Sequence, residues 1–152
     1  MRFIIPGEPQ GKGRHRTNIK TGHTYTPEKT VNYENWVKQC FILSDQKERL
    51  EGQMEAHIQA FFSIPKSTSK TKREKMLSGE IRPTKKPDWD NIGKVVCDAL
   101  NKLAYGDDSG IVDGRVQKFY SDEPRVEVEL VSQSLKGEKP KKKPRKKKGQ
   151  VE

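Results

Sequence analysis

Hydrophobic and polar positions follow one another along the chain in patterns that predict short strands and amphipathic helices. Residues 2–6 contain the apolar run Phe3-Ile4-Ile5, which is rich in β-forming side chains and predicts a strand. A polar, basic loop follows, and Thr26-Pro27 then predicts a helix start, with Thr26 as the cap and Pro27 at the first helical position. That helix would bury the apolar residues that recur at spacings of three and four, namely Tyr33, Trp36, Val37, Cys40 and Phe41.

The rest of the chain predicts two more helices and three more strands. Strict alternation of apolar and polar residues indicates a half-buried strand, whereas an apolar stripe at helical spacing indicates a helix. The elements are a strand at 54–62, a short basic helix at 67–75 closing near Gly79, a helix at 88–103, and strands at 111–120 and 125–131 joined by a turn at 121–124. This order, β-α-β-α-α-β-β, favours an α+β fold in which a small mixed β-sheet packs with helices.

Charge is distributed unevenly along the chain and suggests a division into two parts. Residues 133–152 hold nine Lys/Arg against two acidic residues, which leaves about +3 of the total +10 on residues 1–132. We therefore expect one folded domain over 1–132 and a lysine-rich, disordered tail over 133–152. The tail would raise DNA affinity and be dispensable for chemistry. A small core also makes burial between subunits a reasonable expectation.

The basic composition favours nucleic acid as the partner. A sequence pI near 9.6 points first to polyanions and only second to an anionic membrane surface. The sequence contains no run of the roughly 20 apolar residues that would span a bilayer, so we expect no membrane association. Cys40 and Cys97 lie in helix-like patterns and suggest reduced, buried thiols, which favours a cytoplasmic protein. The three histidines lack zinc-site spacing.

Acidic residues gather at both ends of the helix predicted at 88–103. Asp88 lies at its start, Asp90, Lys94 and Asp98 project from the side opposite the apolar stripe, and Asp107-Asp108 follows in a short loop. The helix alone allows a plain alternative, in which Asp88 is a cap and the others form solvated i,i+4 ion pairs. However, adjacent carboxylates repel one another unless a cation lies among them. A hard divalent cation such as Mg²⁺ would fill that need and could activate water against a phosphodiester.

The same region resembles the core signature of the RusA family of Holliday junction resolvases. The matching segments are Lys86-Pro87-Asp88-Trp89-Asp90-Asn91-Ile92, Lys94, Asp98-Ala99-Leu100-Asn101 and Tyr105-Gly106-Asp107-Asp108-Ser109. Further similarity lies in Pro6-Gly7-Glu8-Pro9, Lys12, Arg14, Arg16, Val112 and Lys118-Phe119-Tyr120, so that the resemblance covers most of residues 1–131.

The resemblance implies a site and an activity. It implies Asp88, Asp90 and Asp108 as Mg²⁺ ligands and Lys94 as the catalytic lysine, with Asp107 the weaker candidate of its pair. It also implies a homodimer whose two sites nick opposed strands of a four-way DNA junction during recombination and repair. The enzyme class would be a crossover junction endodeoxyribonuclease.

Basic residues outside the acidic region are candidates for DNA backbone contact. They are Lys12, Arg14, Arg16, Lys70, Lys72, Arg73, Lys85 and Lys86. Gly11-Lys12-Gly13 lacks the spacing and the Ser/Thr of a phosphate loop, so we reject a nucleotide site there. Trp89 is expected to pack against its helix or against a dimer partner.

Two alternatives remain open from the sequence. One is a Mg²⁺ nuclease acting on other branched or nicked DNA. The other is a nucleic-acid-binding protein without catalysis, in which the acidic residues only cap helices and pair with lysines. The second is less economical, because a pure binder gains nothing by gathering negative charge beside phosphate.

Overall fold

The computed structural model describes residues 1–46 and 48–133 and contains three helices and six strands in that part of the chain. The bounds are β1 Arg2–Pro6, β2 Arg16–Thr17, β3 Thr24–Tyr25, α1 Glu28–Leu43, β4 Met54–Ser63, α2 Lys70–Leu77, α3 Trp89–Leu100, β5 Ile111–Ser121 and β6 Arg125–Ser132, with a 3₁₀ turn at Asp108–Gly110. The predicted α+β class is confirmed. The lysine-rich tail predicted at 133–152 lies almost entirely outside the described residues.

The main sheet has four strands in the order β1-β6-β4-β5. β6 pairs antiparallel with both β1 and β4, whereas β4 and β5 are parallel. The turn predicted at 121–124 is present, but the strands it joins are not neighbours, because β4 lies between them. A second, two-stranded sheet pairs β2 with β3 inside the segment predicted as a loop.

One face of the main sheet carries the hydrophobic core. Alternate residues of β4 are buried from Met54 to Phe62, as the period-2 pattern predicts. Helix α3 presses its apolar stripe against this face through Ile92, Val95, Val96, Ala99 and Leu100, all of which are fully buried. Burial of one such aliphatic side chain contributes roughly 1.5–3 kcal/mol. The helix is therefore held firmly on the sheet.

Several predicted details at helix ends and on α1 are wrong. Helix α1 begins at Glu28, and Pro27 at its cap position has no polar side chain that could cap it. The predicted cap, Thr26, lies one residue earlier, and its hydroxyl is 3.3 Å from Nδ1 of His15. Trp36 was predicted in the core but is 43% exposed, since its indole N–H donates to the carbonyl of Pro6 at 2.8 Å. Helix α3 ends at Leu100 and not at the predicted Leu103, because the backbone of Asn101 is no longer helical.

Trp89 is 61% exposed, so it packs against little of its own chain. Within residues 1–46 and 48–133, none of the helices has both the length and the apolar content needed to cross a membrane.

Candidate active site

The start of α3 presents two accessible carboxylates. Asp88 occupies the cap position with extended backbone, φ −68° and ψ 152°, yet its side chain accepts no capping hydrogen bond. Asp88 and Asp90 are both exposed, and neither forms an ion pair with another residue of the described chain. Ordinary capping and i,i+4 pairing therefore do not occupy these two carboxylates.

Lys118 of β5 lies beside the start of the helix. Its Nζ donates to the carbonyl oxygen of Lys85 and lies 5.2 Å from the ring centre of Phe62. Burial lowers the pKa of Lys118, while the negative charge of Asp88 acts in the opposite direction. The strand therefore places a partly buried cation within electrostatic range of the accessible Asp88 carboxylate.

The end of α3 carries a network of charges that is less exposed. Asp98 accepts from Lys94 Nζ at 3.3 Å through Oδ1 and from Lys12 Nζ at 3.1 Å through Oδ2. Lys12 also pairs with Glu34 of α1. Lys94 keeps 60% of its side chain exposed, whereas the side chains of Lys12 and Asp98 are each only 19% exposed. Asp98 thus shares its two oxygens between a surface lysine and an interior one.

The Asp107-Asp108 pair is folded back onto this end of α3. The side-chain oxygen of Asn101 accepts from the backbone N–H of Asp108 at 2.9 Å, which joins the loop to the last turn of the helix. Ser109 donates to Asp107 Oδ2 at 2.6 Å. Two segments separated in sequence are in this way brought together on the polar side of one helix.

The pKa values of the two neighbouring carboxyl groups in this loop are shifted in opposite directions. The hydrogen bond from Ser109 lowers the pKa of Asp107, which is otherwise open to solvent. Burial raises the pKa of Asp108, and the nearby carboxylates of Asp107 and Asp98 raise it further, against a smaller effect of Lys94. Crowded negative charge around Asp108 is the condition that a bound cation would relieve.

The carboxylates suit a hard divalent cation in chemistry but are not gathered into one cage. Among the residues that the structure describes, no group of three or more His, Cys, Asp or Glu side chains is placed to hold a metal ion together. Asp88 and Asp98 are ten residues apart, which is roughly 15 Å along a helix axis. Mg²⁺ usually takes only one or two protein carboxylates and completes its shell with water and substrate phosphate. The all-oxygen donors therefore fit Mg²⁺ as a partial ligand set.

A basic groove opens beside the start of α3. It encloses about 820 Å³, and its lining includes Arg14, Arg16, Lys29, Lys86 and Asp88. Both arginines and Lys86 are exposed. Four of the basic residues predicted to contact DNA, Lys12 among them, therefore share one depression with a candidate acidic residue, and Lys29 joins them.

The other predicted basic residues are placed differently. Lys12 also lines the groove, but its amine is held by Glu34 and Asp98. Arg73 pairs with Asp122 in the turn between β5 and β6. Lys70 and Lys72 are exposed on α2, and Lys85 is exposed next to Lys118. The predicted basic residues thus do not form one continuous surface of free charges.

Four residues of this region were missing from the predicted site: Lys29, Asp98, Asn101 and Lys118. The helical pattern had placed Asp98 on the polar side of α3, one turn after Lys94, but had given it no role. Asn101, at the end of the helix, could have been found in the same way. Lys118 could have been found only from the family resemblance, because nothing in its local sequence indicates that β5 adjoins the start of α3. Lys29 has no sequence signal of its own.

Comparison with known proteins identifies the family. The sequence model described as "Endodeoxyribonuclease RusA" matches residues 6–131. The chain is also 42% identical over 132 residues to "Uncharacterized protein YqaN" of Bacillus subtilis (strain 168), an alignment that covers 84% of this chain and 93% of that protein. The matched range contains α3, the Asp107-Asp108 loop and the basic groove. The chain belongs to the RusA family of endodeoxyribonucleases.

Proposed function

We propose that this protein is a Mg²⁺-dependent endodeoxyribonuclease that resolves four-way DNA junctions by paired nicking, in recombination and repair. Asp88, Asp90 and Asp108 are the proposed metal-binding carboxylates, and Lys94 is the proposed catalytic lysine. The observation that carries this proposal is the return of Asp108 to the polar side of α3, beside Asp98 and Lys94. Asp88 and Asp90 lie at the start of the same helix, next to the basic groove, in a protein with a formal charge of +10.

Each group has a distinct task in the proposed reaction. When bound, Mg²⁺ would lower the pKa of a water molecule and offset the charge that develops on the phosphate. Arg14, Arg16 and Lys86 would bind phosphates of the entering strand along the groove. Lys94, exposed and fixed at its amine by Asp98, would orient the scissile phosphate or the attacking water. The exposed carboxylates of Asp88 and Asp90 are open to both water and DNA.

A homodimer is part of the proposal, because two opposed nicks need two sites. The sheet face opposite α1 and α3 supports it. In the described residues this face carries half-buried polar side chains such as His57, Gln59 and Gln117, and these line a groove of about 950 Å³ together with residues of α1. The exposed Trp36 also borders that groove.

The test is Mg²⁺-dependent nicking of a synthetic four-way junction, beside a Y-form and a linear duplex of the same sequence. Wild-type protein should cut the junction with paired, symmetric nicks and leave the linear duplex intact. Asp90→Asn should lower the nicking rate by about 10²–10³-fold, because a lost metal carboxylate removes several kcal/mol of transition-state stabilisation. The isosteric change preserves helix geometry, so junction affinity should change little.

Three outcomes separate the alternatives. Unchanged activity in Asp90→Asn would overturn the site assignment. Equal cutting of the Y-form and the junction would replace junction resolution by a broader branched-DNA nuclease. Binding without cleavage in either Mg²⁺ or Mn²⁺ would leave only a nucleic-acid-binding protein.

A further inference from the structure

The Gly11-Lys12-Gly13 segment is wedged between the first turns of α1 and α3. A Cβ on Gly11 would come within 2.9 Å of the Cβ of Pro87, and one on Gly13 within 2.5 Å of the Thr30 hydroxyl oxygen. The backbone N–H of Lys12 donates to the carbonyl of Asn91 at 3.0 Å, and that of Gly13 donates to the Thr30 hydroxyl at 3.0 Å. Because the two glycines have no side chain, the segment can lie close to both helices. The two hydrogen bonds then fix the backbone of Lys12, which stands between the glycines.

The Lys12 side chain is directed away from solvent. Its amine lies between the carboxylates of Glu34 on α1 and Asp98 on α3, and each of the three side chains is less than one-fifth exposed. One ammonium group therefore compensates two carboxylates at a position that is largely shielded from solvent. Removing such a cation leaves carboxylates that repel each other and lack compensation.

The position of Asp98 in turn determines what Lys94 does. Oδ2 of Asp98 is taken by Lys12, which leaves Oδ1 to accept from Lys94 Nζ at 3.3 Å. The same carboxylate lies close enough to Asp108 to raise the pKa of that group. Lys12 thus stands at the inner end of a chain of contacts whose outer end is the exposed amine of Lys94.

Arg14, two residues later, has the opposite environment. Arg14 is exposed, lines the basic groove and forms no ion pair within the described residues. A phosphate can approach that guanidinium without displacing any protein carboxylate. A phosphate approaching Lys12 would have to compete with Glu34 and Asp98, and both would repel it.

We propose that Lys12 is a positioning residue that holds Asp98, and through it Lys94, and that it is not a DNA contact. This inference rests on the proposed nuclease function and adds to it a division of labour within one basic segment. Lys12 organises the site from inside, and Arg14 and Arg16 meet the DNA.

The first experiment measures junction binding in EDTA over a range of salt concentrations for Lys12→Met and Arg14→Ala. Each phosphate contact contributes about 0.9 to the slope of log K against log salt. Lys12→Met should keep the wild-type slope, and Arg14→Ala should reduce it by about 0.9. A reduction of that size in Lys12→Met would overturn the inference.

The second experiment measures single-turnover nicking at saturating protein, below the unfolding midpoint of every variant. Lys12→Met should lower the rate by about 10–100-fold, as loss of a supporting group does around a catalytic site. Lys12→Arg, which keeps the charge, should recover part of the rate. Lys66→Met, an exposed lysine at the end of β4, is the control and should match wild type. A lower unfolding midpoint with an unchanged rate would mean that Lys12 is merely structural and would overturn the inference.

The third experiment uses wild-type protein and does not depend on cleavage or on a variant folding. Lysine acylation followed by mass spectrometry should find Lys12 slow to react in the free protein, while Lys86 reacts readily and becomes protected by junction DNA. A readily acylated Lys12 that DNA protects would overturn the inference. If no DNA is ever nicked, the proposed function fails, while the binding and acylation measurements still judge the placement of Lys12.

Discussion

Both ends of α3 present aspartates, but the two pairs have different environments. At the start, Asp88 and Asp90 are exposed and form no cap bond or ion pair within the described chain. At the end, Asp98 and Asp108 are held by Lys12, Lys94 and Asn101. The comparison suggests that the start is left open for ligands that come from outside, whereas the end is organised in advance by the protein itself.

The largest expected effect compares the two carboxylates of the loop at the end of α3. Asp108→Asn should lower junction nicking by about 10²–10³-fold, as for a metal carboxylate, whereas Asp107→Asn should lower it by less than about 10-fold. The physical reason is that the charges of Asp98 and Lys94 act on Asp108, whereas Asp107 accepts a hydrogen bond from Ser109 and is exposed to solvent. Single-turnover rates on one junction substrate measure both. Equal losses, or a larger loss for Asp107→Asn, would exchange the two roles.

An intermediate effect is expected from Asn101, which fastens that loop. Asn101→Ala removes the acceptor of the Asp108 backbone N–H and should slow nicking by about 10–100-fold, with junction affinity in EDTA unchanged. Asn35→Ala, an exposed asparagine on α1, is the matched control and should behave as wild type. If Asn101→Ala nicks at the wild-type rate, the hydrogen bond between Asn101 and the Asp108 backbone is not needed for nicking. The proposed difference between a pre-organised end and an open start of α3 would then be wrong.

The smallest effect tests packing at the end of α3 without any DNA. Burial raises the pKa of the Cys97 thiol to about 11; Asp108 and Asp98 act in the same direction, whereas Lys94 and a hydrogen bond involving Tyr105 act in the opposite one. Because the thiolate is the reactive form, Cys97 should alkylate far more slowly at pH 8 than a free thiol, and faster as the pH approaches 11. Unfolding in urea should restore ordinary reactivity. Rapid alkylation of the folded protein at pH 8 would show that this end is open.

Local sequence patterns were sufficient for the elements that bury a regular face. The stripe of α3 and the alternation in β4 and β6 each follow from one hydrophobic surface meeting one core, and the structure confirms them. Pairing between strands was harder. A three-residue connection joins β5 to β6, yet β4 separates them, because the partner of a strand is chosen by the whole sheet and not by the nearest turn.

The residues of the candidate site also differ in how well the sequence predicts their roles. The polar side of α3 could be read from helical periodicity, so Asp90, Lys94 and Asp98 were placed correctly relative to one another. The role of Lys12 could not, because composition shows that a residue is charged but not which charges face it. Arg14 has the same sequence context and a different environment, and only the docking of the loop onto Asn91 and Thr30 separates the two.

Gly93 allows the backbone of α3 to lie close to strand β5. A Cβ at this position would come within 3.1 Å of a methyl group of Val116 on β5, so the helix backbone lies nearly against the strand. A larger side chain here would require either the Val116 side chain or the helix backbone to shift by a few tenths of an ångström. Where the helix backbone is the part that shifts, the charged residues of α3 shift with it, although the substitution itself contacts none of them. Gly93 therefore couples the packing of α3 on β5 to the position of the aspartates and the lysine that the helix carries.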